Sequence, residues 1–97
     1  MKTKSFILKQ LRNLNSTLIS EFKVKSIGIF GSYSRNEQKN DSDVDILVEF
    51  RKPVTFFEYL HLEDFLAEKL GVKVDLVTRD ALKPALKPTI LRDVILV

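Results

Sequence analysis

Apolar residues at Ile7, Leu11, Leu14, Leu18 and Phe22 recur at spacings of four, three, four and four. That period lines one face of a helix and predicts an amphipathic one over residues 4–22. Lys23 to Ser26 reads as a short polar link. Ser26-Ile27-Gly28-Ile29-Phe30 then predicts a buried strand running directly into Gly31-Ser32. The stretch from Ser34 to Ser42 is polar and rich in turn formers, so a short helix is expected just after Ser32, followed by a loop. From Asp43 to Phe50 the period changes to two. Asp43, Asp45, Leu47 and Glu49 share one face of the predicted strand, and Val44, Ile46, Val48 and Phe50 share the other.

Arg51-Lys52-Pro53 breaks that strand, and a second helix is predicted from Thr55 or Phe56 to Leu70. Its core stripe is Phe56, Tyr59, Leu62, Leu66 and Leu70, and Gly71 is a natural C-terminal stop. Phe57 and Phe65 lie at or beyond the stripe's edges, where they either widen the core contact or belong to a partner surface. Glu63 falls inside the arc and is expected to form an ion pair at the helix rim. Val72 to Thr78 predicts a further strand, with Val72, Val74 and Leu76 on one face and Lys73, Asp75 and Val77 on the other. Pro84 and Pro88 rule out one long helix in the tail; a short one is expected from Pro88 to about Asp93. Val94-Ile95-Leu96-Val97 is then expected to dock as a strand or against the first helix. No linker, repeat or low-complexity segment is read, and residues 1–97 are expected to form one domain.

Composition narrows the class. The chain has 97 residues, 44% hydrophobic and 30% charged, which is globular rather than disordered. It has no cysteine, which excludes disulfides and thiolate metal sites and fits a cytoplasmic location. No apolar run approaches the ~20 residues of a membrane span, and Phe6-Ile7-Leu8 is too short for a signal-peptide core. The net charge of +3 is uneven, since residues 1–26 carry Lys2, Lys4, Lys9, Arg12, Lys23 and Lys25 against Glu21 alone. Such a stretch reads as a solvated face or as one patch for an anionic ligand, and nucleic acid is not expected as the partner. The lone His61, with no second histidine and no cysteine, gives no zinc site.

The candidate chemistry lies in Gly31-Ser32 and, ten residues on, Asp43-Val44-Asp45. Transfer of a nucleotidyl group moves charge onto a leaving pyrophosphate, and two magnesium ions held by carboxylates are the usual solution. Asp43 and Asp45 project from one face of one strand, roughly 7 Å apart along the backbone. Asp75 interrupts an apolar strand. If that strand neighbours the first, Asp75 joins the pair, and three carboxylates so close call for a cation; otherwise it pairs with a basic residue at a strand end. Glycine lets a phosphate approach the backbone, a following helix offers amides, the Ser32 hydroxyl adds a donor, and Arg35, about one turn onward, is expected to reach phosphate oxygens. Ser32 has no histidine or lysine to act as its base, so it is a poor covalent nucleophile.

Phe30-Gly31-Ser32-Tyr33-Ser34-Arg35 and Asp41-Ser42-Asp43-Val44-Asp45-Ile46-Leu47-Val48-Glu49-Phe50 resemble the DNA polymerase beta-like nucleotidyltransferase superfamily, and in particular its minimal (MNT) branch. Leu70 to Thr78 is similar to that family's third-carboxylate strand, and Ala81-Leu82-Lys83-Pro84 with the apolar end is similar to its usual finish, so the resemblance covers about residues 25–97. It implies an α/β (α+β) fold, a small mixed sheet flanked by helices, with magnesium and ATP bound at the sheet's edge. It implies Gly31 and Ser32 as the phosphate cradle, Asp43 and Asp45 as metal ligands, and Asp75 as third carboxylate and general base. It further implies an antitoxin that moves AMP onto a tyrosine of a HEPN-domain ribonuclease toxin. Many relatives have glycine where this chain has Asn36, a residue that tolerates a left-handed backbone. Larger relatives carry a second domain that grips the acceptor; a chain without one is expected to borrow that surface from a partner. Two other readings stay open: an antitoxin acting by binding alone, and a nucleotidyltransferase that modifies RNA.

Overall fold

The first helix, α1 (Lys4–Phe22), has the predicted bounds. The Thr3 hydroxyl accepts from the Phe6 amide at 3.1 Å and caps its start. Lys23, in the left-handed region at φ 61°, ends it. That single residue reverses the chain, so no polar link is needed. Strand β1 (Val24–Phe30) starts two residues earlier than expected, with buried Val24 paired to Phe50 and an irregular register between Val24 and Ser26. A one-turn helix, α2 (Gly31–Ser34), follows.

Strand β2 (Val44–Phe50) leaves Asp43 just ahead of its first residue. Helix α3 (Phe56–Leu70) opens with a reciprocal capping box between Thr55 and Glu58 and ends at Gly71, φ 67°. The Lys23 ammonium, 2.6 Å from Glu58, and the Thr55 amide hold the Glu58 carboxyl down to about 2. That support is present above the ordinary glutamate range and is lost as pH falls toward 2. Strand β3 (Val74–Thr78) is shorter than expected because Val72 and Lys73 are used in leaving the Gly71 turn. A 3-10 turn, Arg79–Ala81, leads to α4 (Lys87–Asp93), with proline in its first turn as anticipated, and to β4 (Ile95–Leu96). Contrary to the expectation of no repeat, the stretch from the end of the 3-10 turn into α4 contains a tandem one, Ala81-Leu82-Lys83-Pro84 followed by Ala85-Leu86-Lys87-Pro88. The structure describes residues 2–97 of this computed structural model.

The four strands form one mixed sheet in the order β3-β2-β1-β4. β1 is antiparallel to β2 and to β4, and β2 is parallel to β3, the pair that α3 connects. One face is apolar. Ile27, Ile29, Val44, Ile46, Val48, Val74 and Leu76 are buried there in one cluster with Ile7, Leu11 and Leu18 of α1 and Leu62, Leu66 and Leu70 of α3. The other face keeps the acidic residues.

Two expectations for α3 change, those for Phe56 and Glu63, and one left open for Phe65 is decided. Phe56 is expected in the core stripe but is 68% exposed, beside Phe57 at 80%; its ring stacks on that of Tyr59, which is the residue of this turn that packs on the core. Phe65 does widen the core, its ring 4.7 Å from that of Phe22. Glu63 forms no ion pair among the described residues: its carboxylate accepts from the Leu76 amide at 3.3 Å, while the Tyr59 hydroxyl donates to the Leu76 carbonyl. Both free backbone groups of Leu76, at the middle of an edge strand, are thereby satisfied, which blunts the edge against pairing with another chain.

Gly28 marks a close approach of β4. A β-carbon there would stand 2.5 Å from the Ile95 carbonyl oxygen and 3.0 Å from Leu96 Cα. Gly28→Ala is expected to displace β4 and lower stability by about 1–3 kcal/mol. The checks are the denaturant midpoint and faster hydrogen exchange of the Val97 amide, which donates to the Ile27 carbonyl.

Candidate active site

The strand register gathers the site. Phe30 pairs with Asp45 across β1 and β2, and Asp45 pairs with Asp75 across β2 and β3. Asp45 and Asp75 therefore stand side by side on neighbouring strands, pointing to the face opposite the core. Asp43 lies two residues earlier, just ahead of the strand, and its charge acts on Asp45. Among the described residues Asp75 forms no ion pair, so the strand-end pairing considered for it does not occur.

The electrostatics follow from this crowding. Burial pushes the Asp45 carboxyl up to about 6; the negative charges of Asp75 and Asp43 and a carboxyl–carboxylate hydrogen bond with Asp75 add to the rise, and Arg35 opposes it. Burial likewise raises Tyr59, whose neighbours include Glu63 and Asp75. Among the described residues no three carboxylate or histidine groups converge closely enough to coordinate an ion as they stand. The donors are all carboxylate oxygens, a set that suits magnesium. A cation beside these groups would offset the part of the Asp45 rise that Asp75 and Asp43 add to burial.

Gly31 joins the turn to the carboxylates. It has φ +71°, and a β-carbon at this position would fall well inside contact distance of Asp45 Oδ2 and 3.1 Å from Asp45 Cγ. Glycine is required twice here, for backbone conformation and for room beside the acid. The Ser34 hydroxyl donates to the Gly31 carbonyl at 2.9 Å, and the amides of Arg35 and Glu37 donate to the Ser32 carbonyl at 3.2 and 2.8 Å. The Ser32 hydroxyl has no hydrogen-bond partner among the described residues, which leaves it available to a ligand. Asn36 takes the left-handed conformation expected of it, φ 57°, so the turn is preserved without glycine.

Arg35, expected to reach phosphate oxygens, has its guanidinium engaged by two carboxylates. Its Nε donates to Glu37 Oε1 at 3.2 Å and its Nη1 to Asp93 Oδ2 of α4 at 3.4 Å. Sequence reasoning missed Ser34, Glu37 and Asp93. Ser34 belongs to the motif segment and Glu37 lies two residues beyond Arg35, so both were open to inspection; Asp93 is 58 residues from Arg35 and carries no local signal.

A mixed four-strand sheet with acids on adjacent strands beside a glycine turn defines a nucleotidyl-transfer fold. The sequence profile of the nucleotidyltransferase domain matches residues 8–97, and the chain belongs to that family and is a nucleotidyltransferase. A candidate protein adenylyltransferase of Methanocaldococcus jannaschii is 50% identical over 98 residues, covering 100% of each chain. Protein adenylyltransferase MntA of Thermococcus cleftensis is 46% identical over 82% of this chain and 81% of its own. Among solved structures, a candidate minimal nucleotidyltransferase superposes with TM-score 0.84 at 30% identity, covering 97% of this chain and 95% of that one. A chain of a toxin–antitoxin crystallised with AMP-PNP gives TM-score 0.70 at 27% identity, over 98% of this chain and 72% of that one. A complex of a tri-AMPylated Shewanella oneidensis HEPN toxin with an MNT antitoxin shares the fold, with TM-score 0.69 at 23% identity over 97% of this chain and 71% of that one.

Proposed function

We propose that this chain is a cytoplasmic antitoxin that transfers AMP from ATP to a tyrosine hydroxyl of a HEPN-domain toxin. The observation that carries the reading is the row Asp45–Asp75, set against Gly31 with Asp43 beside it. Relatives named as protein adenylyltransferases and a toxin–antitoxin neighbour holding AMP-PNP support it.

In this reading Gly31 and the Ser32 hydroxyl meet the phosphates, and Asp43, Asp45 and Asp75 hold magnesium. Bound magnesium would neutralise charge on the triphosphate and favour ionisation of the acceptor. The tyrosine oxygen attacks the α-phosphorus, the bond from that phosphorus to the pyrophosphate oxygen breaks, and pyrophosphate leaves. Asp75, the exposed carboxylate of the row, takes the hydroxyl proton. The acceptor comes from the partner, for which exposed Phe56 and Phe57 offer apolar surface.

The test is intact mass of the toxin after incubation with this protein, ATP and magnesium. A gain of one or more AMP groups is expected, and none with Asp43→Ala/Asp45→Ala. Absence of any adduct with the unmodified protein would reject the reading. Growth rescue by the double variant would instead identify neutralisation by binding, and label appearing in RNA rather than protein would identify an RNA substrate.

A further inference from the structure

Asp93 is the last residue of α4. A carboxylate is disfavoured there, because the helix's own carbonyl end carries partial negative charge. Its carboxylate instead reaches Arg35, and the contact is the point at which the C-terminal segment touches the phosphate turn. The Arg35 backbone is already tied to that turn, its amide donating to the Gly31 and Ser32 carbonyls. Its guanidinium is then held on two sides, by Glu37 at Nε and by Asp93 at Nη1. Nη2 has no hydrogen-bond partner among the described residues. A planar fork fixed at two nitrogens presents the third in a set direction, and it gives up less freedom on meeting an anion than a loose side chain does. The charge acts on the catalytic face, since Arg35 counters the rise in the Asp45 pKa.

We propose that Asp93 is a positioning residue for the triphosphate, holding Arg35 so that its free guanidinium edge faces the phosphates above Gly31-Ser32. The inference rests on Arg35 contacting phosphate in the nucleotidyl-transfer reading, and does not depend on what the acceptor is. It assigns the C-terminal helix a part in substrate binding: α4 carries a carboxylate that orients a side chain of the motif.

The test is calorimetric binding of AMP-PNP with magnesium to the full chain, alongside steady-state kinetics. Asp93→Asn keeps the shape of the side chain and removes its charge. It is expected to weaken binding about three- to fivefold, the range open to a partly exposed ion pair, and to raise KM by a similar factor with kcat nearly unchanged. Arg35→Ala should weaken binding more, and the double variant should bind no worse than Arg35→Ala alone. Asp93→Glu should recover most of the affinity, and Asp93→Asn should melt no lower than Asp93→Glu without nucleotide, since it removes a carboxylate from the helix's carbonyl end. Multiplying losses in the double variant, or unchanged binding in Asp93→Asn while Arg35→Ala is impaired, would overturn the role of Asp93 alone. Unchanged binding in Arg35→Ala would overturn it together with the phosphate role of Arg35.

Discussion

Asp45→Asn is expected to abolish nucleotidyl transfer and, in the same protein, to stabilise the metal-free fold at neutral pH. The first effect follows from losing the central carboxylate of the row, the residue in electrostatic contact with both Asp43 and Asp75. By comparison with the loss of other preorganised electrostatic groups, the fall in kcat should be on the order of 10²–10⁴. The second effect follows from proton linkage. The Asp45 carboxyl is raised from 3.8 to about 6, so between these values the folded state binds more protons than the unfolded chain. Stability contributed by this group is present below its unfolded pKa and falls as pH rises through the folded one. A shift of about two units corresponds to about 3 kcal/mol at full strength, and partial solvent exposure reduces this to roughly 1–2 kcal/mol. Asparagine removes the charge and the penalty. Thermal melts with chelator present should show the variant more stable by several degrees at pH 7–8 and equal to the unmodified protein near pH 4. An Asp45→Asn variant that is inactive and less stable across this range would show that the carboxylate is a structural partner rather than a strained acid.

Gly31→Ala is expected to cost both fold and activity. The added methyl group would sit at φ +71° and inside the contact distance of Asp45 Oδ2. The backbone conformation alone costs about 1–2 kcal/mol for a residue with a β-carbon. The steric conflict can be relieved only by moving the Asp45 carboxylate or opening the turn, and either disturbs the geometry on which transfer depends. A loss of about 100-fold or more in kcat/KM is expected, consistent with the sensitivity of positioned groups to shifts of about 1 Å. The double variant Gly31→Ala/Asp45→Ala gives the check. Truncating Asp45 removes the atoms the methyl group would strike, so the double variant should be more stable than Gly31→Ala alone. Strict additivity of the two stability changes would reject this contact as the source of the damage.

The two predictions rest on different kinds of information. The need for glycine at position 31 was legible from the order of residues, since it depends on local backbone geometry. The period-four stripe of α1 and the period-two alternation of β2 were legible for the same reason. Elements whose ends depend on a single left-handed residue were read less well: Lys23 turned the chain sooner than a polar link would, and Gly71 consumed two residues of the predicted third strand. Phe56 shows another limit. Periodicity assigns a face to each residue of a helix but not the length of surface that the helix finds to cover.

By itself the sequence determined the elements, the apolar face of each and the pairing of a glycine turn with an acidic strand, because these follow from backbone geometry and from the repeat of side chains along it. The tertiary structure decided which strands are neighbours. Parallel pairing of β2 with β3 sets Asp75 beside Asp45, 30 positions apart in the chain but opposite one another in the sheet. It also decided that Asp93 meets Arg35 and that Glu63 and Tyr59 close the edge at Leu76. These contacts join distant segments, and the free energy that brings them together comes from burying α1 and α3 on the sheet rather than from the contacting residues themselves.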